Sequence, residues 1–339
     1  MAFRTIRRPL PALLLAATVA LPHAPAQGPT AAPHRIGVFL WHDSPNDRAA
    51  LAGVRQGLRD AEVAATFELR LADSDPELAA RQLAELDAGC ELVLSLGTRA
   101  TLLARDHVRR RPIVFAAVTN PVTAGITEDW RGAGAGSCGA SNWIAPQNVL
   151  EVFRLAVPDL RALGMLRSRK SGVVSQAELA GMRQFLATEG APDVQVHEVV
   201  VDDERGLAAA VAALRDQGVQ AIWIPIDLTV YQHVPAIERA LGDRPLPLLT
   251  TAAAGVRNGA LVGAAVDYRL HGRRAAAIVQ RVLRLGRIPD DLPVDRMQSS
   301  LVVANLGAAR RLGIDLPLSL LALADELIAP EPGSDVEPR

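Results

Sequence analysis

From Arg35 onward the chain alternates short apolar or β-branched runs with Ala/Leu/Arg-rich segments whose apolar positions recur every three to four residues. The run Arg35 to Trp41 reads as a buried strand, and Leu51, Val54 and Leu58 mark one face of the helix behind it, with Ser44 or Asp47 as its N-cap. Equivalent pairs follow at Phe67 to Leu71 with Asp75 to Leu86, and at Leu92 to Leu96 with Thr98 to His107; Ile113 to Val118 adds another strand. A second set starts after Trp143. It holds strands at Ala162 to Leu166, Val194 to Val200, Ala221 to Pro225 and Leu246 to Leu249, with helices at Asn148 to Val157, Ser175 to Glu189, Glu204 to Gln217 and Thr229 to Leu241. This alternation predicts an α/β fold, each set forming its own parallel sheet of about four or five strands flanked by helices.

The remaining strand, Ala260 to Val266, with helices Leu270 to Leu285 and Leu306 to Leu312, is too little for a third domain. It is expected to complete the first two by crossing back. Crossovers near Trp143, Thr250 and Met297 then define two lobes on a three-segment hinge: 35–143 plus 251–296, and 144–250 plus 297–328, with a linker at 27–34 and a tail at 329–339.

The first 26 residues follow a different pattern. Arg4, Arg7 and Arg8 precede a short apolar stretch from Leu10 to Leu21, and Ala24-Pro25-Ala26 supplies small residues at a cleavage site, so a signal peptide cut after Ala26 and a periplasmic location are expected. Over 339 residues, 36 Lys+Arg against 37 Asp+Glu leave no basic field for a phosphate backbone, which disfavours nucleic acid as a partner. Cys90 and Cys138 are too few for a disulfide framework or a zinc cluster, and pairing between them stays open. No metal-ligand spacing occurs among the seven histidines, and no metal or cofactor is expected.

Candidate chemistry gathers in the loops after the strands, because parallel α/β folds converge helix N-termini there. Gly97-Thr98-Arg99 ends a buried strand and opens a helix, an arrangement suited either to holding a carboxylate on backbone N–H groups or to plain capping. Asp227 stands at a strand end, where it suits a ligand ammonium group or caps the helix that follows. Trp41, Trp143 and Tyr268 fall in such loops, and core or hinge packing is favoured for Trp143. Gly134 to Gly139 matches G-x-G-x-x-G but opens no helix, so it reads as a glycine-rich turn into a strand. Arg167, Arg169 and Lys170, the chain's only lysine, form either a solvated rim or an anion-facing wall.

The run Pro112-Ile113-Val114-Phe115-Ala116-Ala117-Val118-Thr119-Asn120-Pro121-Val122-Thr123-Ala124-Gly125 strongly resembles the ABC-transporter substrate-binding proteins of the tryptophan/tyrosine type. Further matches follow in order at Gly132 to Ser141, Ile222 to Asp227, Gly255 to Tyr268 with Gly272, and Val303-Ala304-Asn305 before Leu312-Gly313-Ile314. The chain departs from the family's pattern at Asn120, over Arg167 to Gly172, and at Leu228. The resemblance implies a type I periplasmic-binding-protein-like fold and a small, amino-acid-like ligand, aromatic members included. It also implies delivery to an inner-membrane ABC permease and no enzymatic step.

Carried onto this chain, Thr98 and the Arg99 backbone would take a carboxylate and Asp227 an ammonium group, with Trp41, His42 and Tyr268 against the ligand's side chain. Thr119, Ser141, Ser171 and Thr250 would complete the cleft, and the protein is expected to be a monomer. The alternatives are an exported sensor domain that signals to a partner other than a transporter and, less favoured, an α/β enzyme.

Overall fold

The computed structural model describes residues 32–132, 136–170, 172–190, 193–288 and 292–330. The expected signal peptide, Ser171 and part of the Gly134 to Gly139 run lie outside the described residues. Strands β1 (His34–Leu40), β2 (Ala65–Leu71), β3 (Leu92–Leu96), β4 (Ile113–Val118) and β5 (Ser137–Ser141) come first, with helices α1 (Pro45–Asp60), α2 (Pro76–Gly89) and α3 (Thr98–His107) between them. After α4 (Pro146–Ala156) the chain runs through β6 (Ala162–Ser168), α5 (Gly172–Phe185), β7 (Gln195–Val201), α6 (Leu207–Asp216) and β8 (Ala221–Ile224). The short α7 (Leu228–Tyr231), α8 (Val234–Leu241), β9 (Leu248–Thr250), α9 (Ala253–Arg257) and β10 (Val262–Ala265) follow. The last third is α10 (Tyr268–Leu285), β11 (Asp295–Arg296), β12 (Leu301–Asn305), α11 (Leu306–Leu312), α12 (Leu318–Leu323) and β13 (Glu326–Ile328).

Two sheets result, ordered β11-β5-β4-β3-β1-β2 and β13-β12-β10-β9-β8-β6-β7. β3 and β4 are buried at every position, with helices on both faces of their sheet. In the second sheet Trp223 of β8 meets Phe153 of α4 edge to face at 6.2 Å. The chain passes between the sheets three times: after β5, after β10 and after β11.

One expectation is corrected here. The hydrophobic pattern places the strand at Ala260 to Val266 in the first lobe, but β10 pairs in parallel with β9, Val262 beside Leu249 and Gly263 beside Thr250. The second passage therefore falls after Val266 rather than near Thr250. The reason is local: α9 is a single short turn that returns the chain to the neighbouring position of the same sheet, and Gly263 admits the Thr250 side chain. The sheets are also larger than expected, six and seven strands, because β11 joins the first late in the chain and β10, β12 and β13 extend the second. The second is not wholly parallel, since β10 and β12 pair antiparallel.

What ties the returning segment to the first sheet is the packing of α10 on α1. A Cβ on Gly272 would stand 2.0 Å from the Ala50 carbonyl oxygen, and one on Gly53 would stand 2.1 Å from that of Arg269, so the two backbones touch. Gly57 opposite Ala276 extends the contact by one helical turn. Such approach tolerates no side chain at the crossing. Gly272→Ala is expected to lower unfolding stability by about 1–3 kcal/mol, through overpacking at that crossing. Urea denaturation checks this, with an exposed control such as Gly286→Asn at the left-handed C-cap of α10 changing little.

Candidate functional site

A cavity of about 580 Å³ opens between the two sheets at the carboxyl ends of their strands. The first sheet contributes the loop after β1, the start of α1, the start of α3 and the end of β4; the second contributes Lys170, Val173, Ile226, Leu228 and Tyr231; Asn142 and Tyr268 lie on the connecting passages. Six of the ten expected ligand contacts line it: Trp41, His42, Thr98, Arg99, Thr119 and Tyr268. The Arg99 guanidinium sits over the Trp41 ring, 5.5 Å from its centroid, so the two form one wall. Gly97 holds φ +91° and donates its N–H to Ala116 O at 2.9 Å, which starts α3 at the end of β3 with no side-chain cap. The first N–H groups of α3 have no intrahelical partner.

The floor is formed by an irregularity in β4. The register between β4 and β5 shifts between Phe115 and Val118, and Ala117, a residue with a Cβ, adopts φ +57°. Its N–H donates to Nε2 of His271 on α10 at 3.0 Å. Burial lowers the His271 pKa to about 4, so the ring is neutral and Nε2 is free to accept. Ser141, expected to contact ligand, instead donates its hydroxyl to Thr119 O at 2.8 Å and accepts Trp143 N–H at 3.1 Å. Trp143 itself packs its ring on Gly181 of α5.

Of its two expected roles, Asp227 takes the helix cap and not that of an open ammonium partner. It is fully buried and accepts Ser168 N–H at 2.5 Å, Ser168 Oγ at 3.0 Å and Thr229 N–H at 3.1 Å, so it caps α7 and ties that helix to the end of β6. A carboxylate with three donors is already satisfied. Behind the same wall Glu178 accepts Ile226 N–H at 3.0 Å, and burial pushes its carboxyl up to about 7. Thr250 is buried as well, its Oγ1 accepting Ala252 N–H at 3.0 Å. Of the basic run, Arg167 is buried against Glu198 with a 2.7 Å hydrogen bond and Arg169 pairs with Asp202 at 2.7 Å. Only Lys170 of the three reaches the cavity.

The sequence reading missed Asp47, Asn142 and Tyr231. Asn142 Nδ2 donates to the Tyr268 hydroxyl at 3.1 Å across the two passages. Asp47, third residue of α1, lines the cavity with 8% of its surface exposed. Burial pushes its carboxyl up to about 7, and the nearby charge of Asp43 adds to the shift. Asp43 itself is committed to Arg48 on the surface. As an N-cap candidate Asp47 resembled any acidic residue in a first helical turn; its burial was the signal, and only the fold shows it. Cys90 and Cys138 are free and buried, and burial pushes the Cys138 thiol up to about 12. Among the described residues no cluster of His, Cys, Asp or Glu could hold a metal, and no helix is long and apolar enough to cross a membrane.

Residues 35–328 match the ABC transporter substrate binding protein family. The chain belongs to this family. A tyrosine-binding protein of Clostridioides difficile is 21% identical over 215 residues, a stretch covering 63% of this chain and 61% of that relative. Among solved structures, an ABC domain in complex with L-Trp from Streptococcus pneumonia superposes with a TM-score of 0.73 at 24% identity, covering 86% of this chain and 100% of the other. A ligand-free, open substrate binding protein with adhesive properties from Clostridium difficile gives a TM-score of 0.72 at 18% identity, covering 87% and 99%. The architecture of the binding protein is thus the two-lobed α/β fold of type I periplasmic binding proteins, the fold expected from the sequence.

Two outcomes follow from these roles. Asp227→Ala strands two buried donors of Ser168 and the half-buried Thr229 N–H and is expected to cost about 2–4 kcal/mol of stability whether or not ligand is present, by urea denaturation. Asp47 acts in the opposite sense. Its carboxyl ionises near 3.8 when unfolded and about 7 when folded, so its destabilisation is absent below about pH 4, grows through the interval and is complete above 7. Asp47→Asn in the ligand-free protein is therefore expected to gain on the order of 2–4 kcal/mol at pH 8 and nothing at pH 4, by thermal unfolding at both.

Proposed function

We propose that this chain is the periplasmic binding component of an ABC importer, taking one small amino-acid-like solute, aromatic side chains included, into the cavity between its lobes. Lobe closure occurs by bending at the three passages, and the closed form is what an inner-membrane permease reads. The observation that carries this reading is the cavity itself: strand ends and helix starts of both sheets face one space, lined by aromatic rings at Trp41, Tyr231 and Tyr268 and by polar groups at Thr98, Arg99 and Thr119. Thr98 and Arg99 take the carboxylate at the start of α3, while Trp41, His42 and Tyr268 contact the side chain. The family match and the Trp- and Tyr-binding proteins it resembles support an amino-acid ligand. The protein works as a monomer, without covalent chemistry, after export and cleavage behind Ala26.

A thermal-shift screen of the purified mature chain against the twenty amino acids, small sugars and inorganic anions tests this. Ligand at a hundred times its Kd adds about 2.7 kcal/mol by mass action, and at least one amino acid is expected to raise Tm while remaining chemically unchanged. Sugars or anions alone raising Tm, or turnover of the bound compound, would overturn the reading. Trp41→Ala is expected to weaken that amino acid about 5-fold to 30-fold, from loss of the ring wall, by calorimetric titration. The exported protein should begin at Gln27 by mass spectrometry.

A further inference from the structure

The reading above leaves the ligand's cationic end without a partner, since Asp227 is consumed by Ser168 and Thr229. We propose that Asp47 holds the ligand's ammonium group, and that Asp47 together with the start of α3 forms a site for the head of a free α-amino acid. This rests on the amino-acid reading and deepens it.

The first observation is Asp47's surroundings. Its side chain is more than nine-tenths buried, lines the cavity and has no hydrogen bond or ion pair among the described residues. An ionised carboxylate in that position is costly unless a cation arrives to pair with it. A role in offsetting the dipole of α1 would be served as well by an exposed acid and requires no burial. Among the described residues its electrostatic neighbours are Asp43 in its own loop, Tyr231 of α7 and Tyr268 of α10, none of them a cation. Both rings line the same cavity as that carboxylate, a setting that suits an ammonium ion. Among the described residues the cavity's basic groups are Arg99, whose guanidinium is already stacked on Trp41, Lys170 and the titratable His42, all exposed.

The second observation is where that carboxylate points. Both of its oxygens lie 3.7 Å from where a Cβ on Gly97 would stand, so it abuts the residue that immediately precedes the unpartnered N–H groups of α3. Anion acceptance and cation acceptance therefore sit side by side, with successive Cα atoms about 3.8 Å apart. An α-amino acid carries its ammonium and carboxylate on one carbon and matches both at once. A deaminated acid leaves Asp47 buried and unpaired, and a decarboxylated amine leaves the α3 N–H groups and Arg99 without their anion. The head is anchored on the first lobe, and the side chain extends toward Val173, Ile226 and Leu228 of the second.

The test is calorimetric titration of wild type and Asp47→Asn from pH 5.5 to 8.5. The probes are L-tryptophan, L-tyrosine and any other amino acid found in the screen, each beside its N-acetyl and decarboxylated analogues. Wild type is expected to bind a free amino acid and to lose about 30-fold to 1000-fold with the N-acetyl analogue, as when one partner of a buried charged pair is removed. Its affinity should fall as pH drops below 7, because the ligand needs Asp47 ionised. Asp47→Asn should lose affinity to a similar degree at pH 8 and show a flat profile, while its near-UV circular dichroism stays native. Equal affinity for the N-acetyl analogue, a result that needs no variant, overturns the proposal. So does an unchanged affinity and pH profile in Asp47→Asn. Failure of wild type to bind any amino acid overturns the functional reading and this one with it; binding that is indifferent to Asp47 overturns this one alone.

Discussion

The crossing of α1 and α10 is the constraint on which the site depends. Gly53 and Gly272 let two helix backbones touch, and that contact returns the chain from the second sheet to the first. Both helices carry cavity groups near their starts: Asp47 on α1, Tyr268 on α10 and, one turn on, His271, whose Nε2 holds the left-handed Ala117 in the floor. A side chain at the crossing would push the helices apart and shift all of these together. The packing is therefore a positioning device for the cavity as much as a source of stability.

Around the cavity, three buried carboxyl groups are treated in different ways. Asp227 is saturated by donors and welds α7 to β6. Glu178 accepts one backbone N–H behind the wall. Asp47 is buried without a partner among the described residues and faces the open space. The first two make the second lobe's wall rigid; the third leaves unspent electrostatic demand at the first lobe's edge. A binding protein that must discriminate without chemistry has this kind of demand as its main resource, since a ligand lacking the complementary charge leaves the group unsatisfied.

Much of the fold was legible in the chain. Most strands among β1 to β4 and β6 to β9 are short apolar runs, the edge strands β2 and β7 mixing in polar residues, and the helices between them repeat apolar positions every three to four residues, so the two parallel sets follow from hydrophobic pattern alone. β10 was legible as a strand but not as a member of the second sheet. A strand's pattern reports burial, and both sheets bury their central strands on two faces, so pairing partners leave no mark on it. β12 and β13 are not legible as strands for a related reason, being short late additions beside helix-like segments. At the site, Trp41, His42, Thr98, Arg99, Thr119 and Tyr268 were found because loops after parallel strands gather at one end of a sheet. Ser141, Asp227 and Thr250 lie at the same ends but turn their polar atoms to the backbone, a choice of side-chain direction that spacing does not encode.

The sequence by itself determined the α/β class, the two-set organisation and which loops face the cleft, because these depend on periodicity and on chain order. The tertiary structure decided which sheet takes β10, and that Asp47 rather than Asp227 is the carboxyl with unmet charge. Both decisions rest on contacts between segments far apart in the chain. Asp227 is satisfied by donors from Ser168, far from it in the chain, and Asp47 is buried at the cavity wall beside Gly97, and neither surrounding can be read from the residues on either side.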